Sequence, residues 1–216
     1  MWSEFICNGD VVGTPGIKGK KISLDVQTKG ARMEDILLLV MNSKKSPFLG
    51  QMNFKSKLVL PQGNAPVIEK LFLDGEFSVL SGRFTADKLQ DKLDTMSNRS
   101  MGLKGKREED NVATNLRGKF VLKDSNANFS HLSFGVPGLF VTLQGAYGLT
   151  SEKIDFHGTA RLHGKVSHMT TGWKSILLKP VDPFFSKDGA GAVLPIKITG
   201  TKSNPDFGLE LHRDKK

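Results

Sequence analysis

The sequence predicts a mainly β protein with short flanking helices, built as a curved antiparallel sheet forming an apolar-lined groove. Three observations predict it. Apolar and polar residues alternate over several stretches, as in Lys21–Thr28, where Ile22, Leu24, Val26 and Thr28 share one parity and Lys21, Ser23, Asp25 and Gln27 the other. One short phrase, apolar-x-Gly-x followed by a second residue that is often apolar, recurs five times. Turn signals separate the stretches: Gly13-Thr-Pro15-Gly16, Asp124-Ser-Asn126, Pro137-Gly138 and Thr150-Ser-Glu152. A closed β sandwich or barrel-like domain is the alternative architecture for the same signals.

Taken in order, residues 1–12 and 18–29 read as two strands. Ala31–Met41 reads as a helix, because Met33, Ile36, Leu37, Val40 and Met41 fall at helical spacing and Glu34 and Asp35 sit in a first turn, where the dipole favours acid. Gly50–Leu60 alternates again, with Met52, Phe54, Leu58 and Leu60 on one parity. Val67–Ser81 reads as one long strand. Thr85 caps an expected helix whose stripe is Leu89, Leu93 and Met96, and the charged stretch Ser97–Asn111 reads as a mobile surface loop. Strands dominate from Val112 to Val166. A last helix is expected around Met169–Leu178, with Met169, Trp173, Ile176 and Leu177 in one stripe, ended by Pro180 and Pro183. A strand Leu194–Thr201 and a final strand Phe207–Leu211 complete the chain.

The repeated phrase is Leu73-Asp-Gly75-Glu-Phe77, Leu116-Arg-Gly118-Lys-Phe120, Leu143-Gln-Gly145-Ala-Tyr147, Phe156-His-Gly158-Thr-Ala160 and Ile198-Thr-Gly200-Thr-Lys202. Strand side chains alternate between faces, so each glycine shares a face with its apolar neighbours. The other face carries Asp74, Glu76, Arg117, Lys119, Gln144, His157 and Arg161. Leu73, Gly75, Phe77, Leu116, Gly118, Phe120, Leu143, Gly145 and Tyr147 are therefore the candidate groove residues. Mid-strand glycine has two readings here. It marks a bend or a close backbone approach, or it leaves room on an oily face for something that is not protein. A lipid chain fits the second reading, since each buried methylene contributes about 0.8 kcal/mol without specific contacts.

Composition narrows the classes. The chain has 216 residues, enough for a sizeable core in one domain spanning 1–216. A net charge of +9 suits nucleic acid or an anionic lipid surface. The basic residues are scattered and are not interleaved with aromatics, which argues against nucleic acid. The single cysteine, Cys7, excludes an internal disulfide and is expected as a buried small hydrophobe. No stretch reaches the length of a membrane-spanning helix, and the first residues lack the basic and apolar regions of a signal peptide.

Nothing in the sequence assembles a catalyst or a cofactor site. His157 and His163 share parity but lie six residues apart, roughly 20 Å along a strand, too far to share a metal. Gly19-Lys20 has Thr14 where a phosphate-binding loop needs glycine, and Lys21 where it needs a hydroxyl. Gly189-Ala-Gly191 has Leu194 in place of the third glycine of a dinucleotide turn. No Gly-x-Ser-x-Gly elbow occurs. The expectation is a non-enzyme with no metal and no cofactor. Trp173 with Lys174 and Lys179 has two readings: a core tryptophan on a covering helix, or a helix at a membrane interface with its lysines at lipid phosphates.

The end of the chain carries a family resemblance. Ser167-x-Met169-x-Thr171-Gly172-Trp173-Lys174-Ser175, Lys179-Pro180-x-Asp182-Pro183-Phe184-Phe185 and Leu194-Pro195-Ile196-Lys197-Ile198-x-Gly200-Thr201 resemble the C-terminal region of bacterial AsmA-like proteins. Gly9-Asp10-Val11-Val12-Gly13, Ala31-Arg32-Met33-Glu34-Asp35, Lys57-Leu58-Val59-Leu60-Pro61 and Val136-Pro137-Gly138 extend the likeness loosely over the chain. The resemblance implies the C-terminal part of a longer chain, anchored in the inner membrane by an upstream segment and projecting into the periplasm. It also implies outer-membrane assembly and phospholipid transport between the two membranes, as in the similar repeating β-groove lipid-transfer proteins. The partners it implies are phospholipid acyl chains, an anionic membrane surface and upstream β segments of the same longer chain. The alternative function is a structural β domain that scaffolds an envelope complex through its sheet edges.

Overall fold

The computed structural model describes residues 3–41, 46, 48–85, 114–162 and 193–210. Ten strands form a single antiparallel sheet in which chain order is spatial order. They are β1 (Ile6–Val12), β2 (Lys21–Arg32), β3 (Phe48–Leu60), β4 (Phe72–Phe84), β5 (Thr114–Lys123), β6 (Asn126–Val136), β7 (Leu139–Gly148), β8 (Lys153–Leu162), β9 (Val193–Thr201) and β10 (Pro205–Leu209). The sheet is curved and unclosed, since β1 and β10 are its two edges. The closed sandwich or barrel is therefore not what this chain adopts.

The tight turns show why the strands meet in this order. Asp124 and Ser125 join β5 to β6 with φ of 50° and 59°, the double left-handed geometry whose twist matches a hairpin. Pro137-Gly138 joins β6 to β7, with Gly138 at φ 75°. The longer excursions share one end of the sheet. The chain leaves that end after β2, β4 and β8, and returns to it at β3, β5 and β9.

Two short helices accompany the sheet. α1 (Met33–Met41) follows β2 directly; a register shift between Thr28 and Ala31 interrupts the pairing with β3, which resumes at Ala31 and Arg32. Its Met33, Ile36 and Leu37 pack on Phe48, Met52 and Val79. Arg32 Nε donates to Glu34 Oε1 at 2.7 Å, and the Ser3 hydroxyl donates to Asp35 Oδ2 at 2.7 Å, so the acidic first turn is tied to the segment before it. α2 (Val67–Lys70) is a single helical turn. It corrects the expectation of one strand over Val67–Ser81: Pro66 supplies a φ of −51° at the helix start, and the strand begins at Phe72. The helices expected at 86–96 and 169–178 lie outside the described residues.

Cross-strand register puts the apolar parity of every strand on the same face. Phe54 pairs with Phe77, which pairs with Gly118, then Leu132, Leu143, Gly158 and Ile196 in turn. The next row reads Ser56, Gly75, Phe120, Phe129, Gly145, Phe156 and Ile198. Burial on this face is graded. At the end bearing the long excursions, Leu139, Leu162 and Leu194 are sealed from solvent together with Val136, and Phe48, Met52 and Val79 form a second buried cluster. At the end bearing the tight turns, Leu122 and Ala127 are buried, and around them Leu24, Leu58, Leu73, Tyr147 and Ile154 are half-buried.

Cys7 corrects another expectation. It is exposed, because β1 is an edge strand and every one of its seven residues is exposed.

Candidate functional site: an aromatic band across the apolar face

All nine candidate groove residues lie on the apolar face. Leu73, Gly75 and Phe77 come from β4, Leu116, Gly118 and Phe120 from β5, and Leu143, Gly145 and Tyr147 from β7. The register sets four of the first six opposite one another: Gly75 opposes Phe120 and Phe77 opposes Gly118, whereas Leu73 opposes Leu122 and Leu116 opposes Val79. The β7 trio is separated from them by β6, which supplies Phe129 and Leu132.

The middle of the face is a chain of phenylalanine rings. Phe54 lies 6.4 Å from Phe120 between centroids, Phe77 lies 6.2 Å from Phe120, Phe120 lies 5.8 Å from Phe129, and Phe129 lies 5.6 Å from Phe156. These separations fall in the range where aromatic pairs attract one another beyond simple burial. The band runs from β3 to β8, five strand spacings or about 24 Å. Phe54, Phe77, Phe120 and Phe129 are half-buried, whereas Phe156 is buried.

Glycine makes this band possible, though not by leaving holes. Phe129 and Phe156 both oppose Gly145, one on each side. Strand lines two apart are about 9.5 Å from each other, so rings at 5.6 Å must lean together over the glycine between them. At Gly118 the space is already taken: a Cβ there would lie 2.5 Å from Cε1 and Cζ of Phe77. The glycine notches at Gly118 and Gly145 are thus filled or roofed by the protein's own rings. What remains open on this face is the half-buried upper surface of the rings and the leucines at the tight-turn end.

The opposite face is mainly polar, although Val59, Val121 and Phe140 also lie on it. Asp74, Glu76, Arg117, Lys119, Gln144 and Arg161 are exposed there. Charges alternate across strands: Lys55 pairs with Glu76, which pairs with Lys119. His157 stands half-exposed between two carboxylates, with Nε2 3.0 Å from Asp155 Oδ1 and Nδ1 2.9 Å from Glu210 Oε1. A shallow hollow of about 840 Å³ on this side is bordered by Asp74, Lys119, Asp155, His157 and Glu210. Among the described residues, no group of three histidine, cysteine or acidic side chains forms a metal site.

No family model, curated protein or solved structure matches this chain. The chemistry of its two faces therefore carries the reading. Among the described residues, no helix is long and apolar enough to cross a membrane. Trp173, Lys174 and Lys179 lie outside the described residues.

Tyr147, the single tyrosine, reports on the open end of the apolar face. Burial raises its phenol pKa above the ordinary value, and the nearby Glu152 carboxylate raises it further. A phenol with a raised folded pKa favours the folded chain at lower pH, and that contribution fades as pH climbs from the unfolded value through the folded one. Titration of phenolate absorbance is expected to give a higher midpoint in the folded chain than in denaturant. A lower folded midpoint would show that the ring sits in water or near a cation.

Phe129 and Leu132 belong to this face without any sign of it in the sequence. The register shift between them breaks the alternation, so one has odd and the other even numbering on the same face. The shift is invisible without the partner strand. Phe54 carried a signal, since it shares parity with Met52 and Leu58.

Proposed function

We propose that this chain is a non-enzymatic, lipid-contacting module of a bacterial envelope protein of the AsmA type. In this reading it contributes an apolar surface to phospholipid passage between inner and outer membranes, and so to outer-membrane assembly. It belongs to a longer chain anchored in the inner membrane and reaching into the periplasm. The observation that carries the reading is the half-buried phenylalanine band joined to the half-buried leucines of the tight-turn end. A face of this kind offers acyl chains a continuous oily floor, and each methylene laid on it contributes up to about 0.8 kcal/mol. Among the described residues its polar side chains are few, Ser56 and Tyr147 among them, which suits bulk passage of phospholipid better than recognition of a single species. The family resemblance supplies the compartment, and the polar outer face suits an aqueous one.

Native mass spectrometry on chain purified from phospholipid-containing cells is expected to show bound phospholipid. Leu58→Asn with Leu73→Asn, at the half-buried end where the fold tolerates polarity best, is expected to lower lipid occupancy several-fold while leaving the circular dichroism unchanged. A folded, lipid-free chain, or a double variant that retains full occupancy, would sink the reading.

The scaffold reading is favoured by a different observation, the exposed edge strand β1. It needs no lipid. The same spectra separate the two: a scaffold shows protein partners without phospholipid.

A further inference from the structure

We propose that the end of the sheet bearing the tight turns docks on an anionic lipid bilayer, with Ile17 and Val67 entering the acyl boundary and Lys18, Lys20 and Lys21 meeting lipid phosphates. This deepens the lipid-contacting reading by naming where the bilayer is met, yet it stands on its own residues and does not need the chain to carry phospholipid. The end is made of internal connections, those after β1, β3, β5, β7 and β9. They are tied sideways into one rim. The Gly63 N–H donates to the Lys18 carbonyl at 2.9 Å. The Gln62 side chain accepts from the Thr14 hydroxyl at 2.8 Å and donates to the Gly19 carbonyl at 3.0 Å. Further along, the Ser125 hydroxyl donates to the Ile68 carbonyl, the Leu149 N–H to the Ser125 carbonyl, and the Lys202 N–H to the Glu152 carbonyl. Connections at one end lie two strand spacings apart, about 9.5 Å, so these bonds hold neighbouring loops against one another.

Two aliphatic side chains project from this rim. Thr14-Pro15-Gly16-Ile17 closes a turn, with the Ile17 N–H on the Thr14 carbonyl at 3.2 Å and Gly16 at φ 82°. It leaves Ile17 50% exposed. Val67 opens α2 and is 57% exposed. A single exposed aliphatic residue is ordinary; these two differ in what surrounds them. Behind them the apolar face starts with the pair Ile22 and Leu60, followed by Leu24 and Leu58, all half-buried. The charge beside them is one-sided. Lys18, Lys20 and Lys21 are exposed, and no acid occurs from Val11 to Leu24. Among the described residues none of the three lysines forms an ion pair. Elsewhere on the rim acids stand beside the lysines: Glu69 adjoins Lys70, Asp124 adjoins Lys123, and Glu152 adjoins Lys153 and lies 3.4 Å from Lys202. This combination sets the occupant. Aliphatic tips beside unpaired lysines fit the boundary between acyl chains and phosphates, where apolar burial and attraction to anionic lipid act together. An acidic polypeptide answers the lysines alone.

Co-sedimentation of the full chain with vesicles tests the docking. Vesicles of equal parts phosphatidylglycerol and phosphatidylcholine are expected to carry the chain down, and vesicles of phosphatidylcholine alone are not. Three lysines at an anionic surface give an expected difference of about a hundredfold in partitioning, most of which high salt removes. Lys18→Gln with Lys20→Gln is expected to weaken binding to the anionic vesicles by about tenfold. Lys55→Gln with Lys57→Gln, the same loss of charge on the polar face, is expected to leave it unchanged. Ile17→Ser with Val67→Ser is expected to weaken it several-fold. Leu80→Ser, which alters an equally exposed residue toward the other end of the sheet, is the control for that pair. All these positions are exposed, so circular dichroism is expected to stay the same. No binding to the anionic vesicles, equal binding to both kinds, full binding by either rim variant, or an equal loss in its control would each overturn the proposal. Capture by polyglutamate with no binding to vesicles would do the same, and would make an acidic polypeptide the partner. Vesicle binding by a chain whose native mass spectra hold no phospholipid would remove lipid passage and leave this docking in place.

Discussion

Gly145→Val is expected to destabilise the folded chain by about 3 kcal/mol, read as a fall in the urea midpoint at unchanged slope. The sign makes this informative. At an ordinary strand position valine outperforms glycine by up to about 1 kcal/mol, because it fits a pleated surface and restricts the unfolded chain. At Gly145 the backbone has φ +148°, a conformation that side chains rarely adopt. A Cβ there would collide with the Asp155 carbonyl oxygen and lie 2.7 Å from the Phe156 Cα. Valine must therefore push β7 away from β8. Backbone strain of this kind costs about 1–3 kcal/mol, and each ladder hydrogen bond lost adds about 1 kcal/mol. The shift also parts Phe129 from Phe156, whose rings meet over this glycine. Gly13→Ala is the control, since its Cβ would meet nothing nearer than Lys20 Cγ at 3.8 Å. It is expected to change stability little. If Gly145→Val proves neutral, the close approach of β7 and β8 at this point is wrong.

The second large effect is a gradient along the strands. Leu139→Ala is expected to cost about 3 kcal/mol, within the usual range for a buried leucine that leaves a cavity. Leu139 is 0% exposed and packs in a cluster with Val136, Leu162 and Leu194. Leu73→Ala is expected to cost about 1 kcal/mol, because that side chain is half-buried and water fills part of the space it leaves. Denaturant unfolding of the two variants checks the difference. Equal costs would mean that the apolar face is sealed at both ends, and a surface with no open end could not take up a lipid chain laterally. The proposed function and this gradient thus stand on the same feature, the change from sealed to half-open between Leu139 and Leu73.

The architecture was legible because alternation is a local signal. Ile22, Leu24 and Val26 announce a two-faced strand without reference to any neighbour, and Asp124-Ser125 and Pro137-Gly138 announce reversals. A chain of such strands with short turns has few topologies available, and a meander is the simplest. Boundaries were less legible where local and tertiary preferences compete. Val67–Lys70 has β-forming residues, yet it makes a helical turn after Pro66. Cys7 has the chemistry of a core residue, but an edge strand leaves it in water.

Alternation along each strand is enough to define two-sided strands, with Leu73, Phe77, Phe120 and Tyr147 on apolar sides and Asp74, Glu76, Lys119 and Arg161 on polar ones. Side-chain parity is a property of one strand, so no partner is needed to read it. The tertiary structure alone decided that Phe129 joins this face, that the sheet stays open, and that the glycines at 118 and 145 serve the protein's own rings. Each of those depends on which residue stands opposite which. Opposition across strands is set by register, and register arises only when distant segments meet.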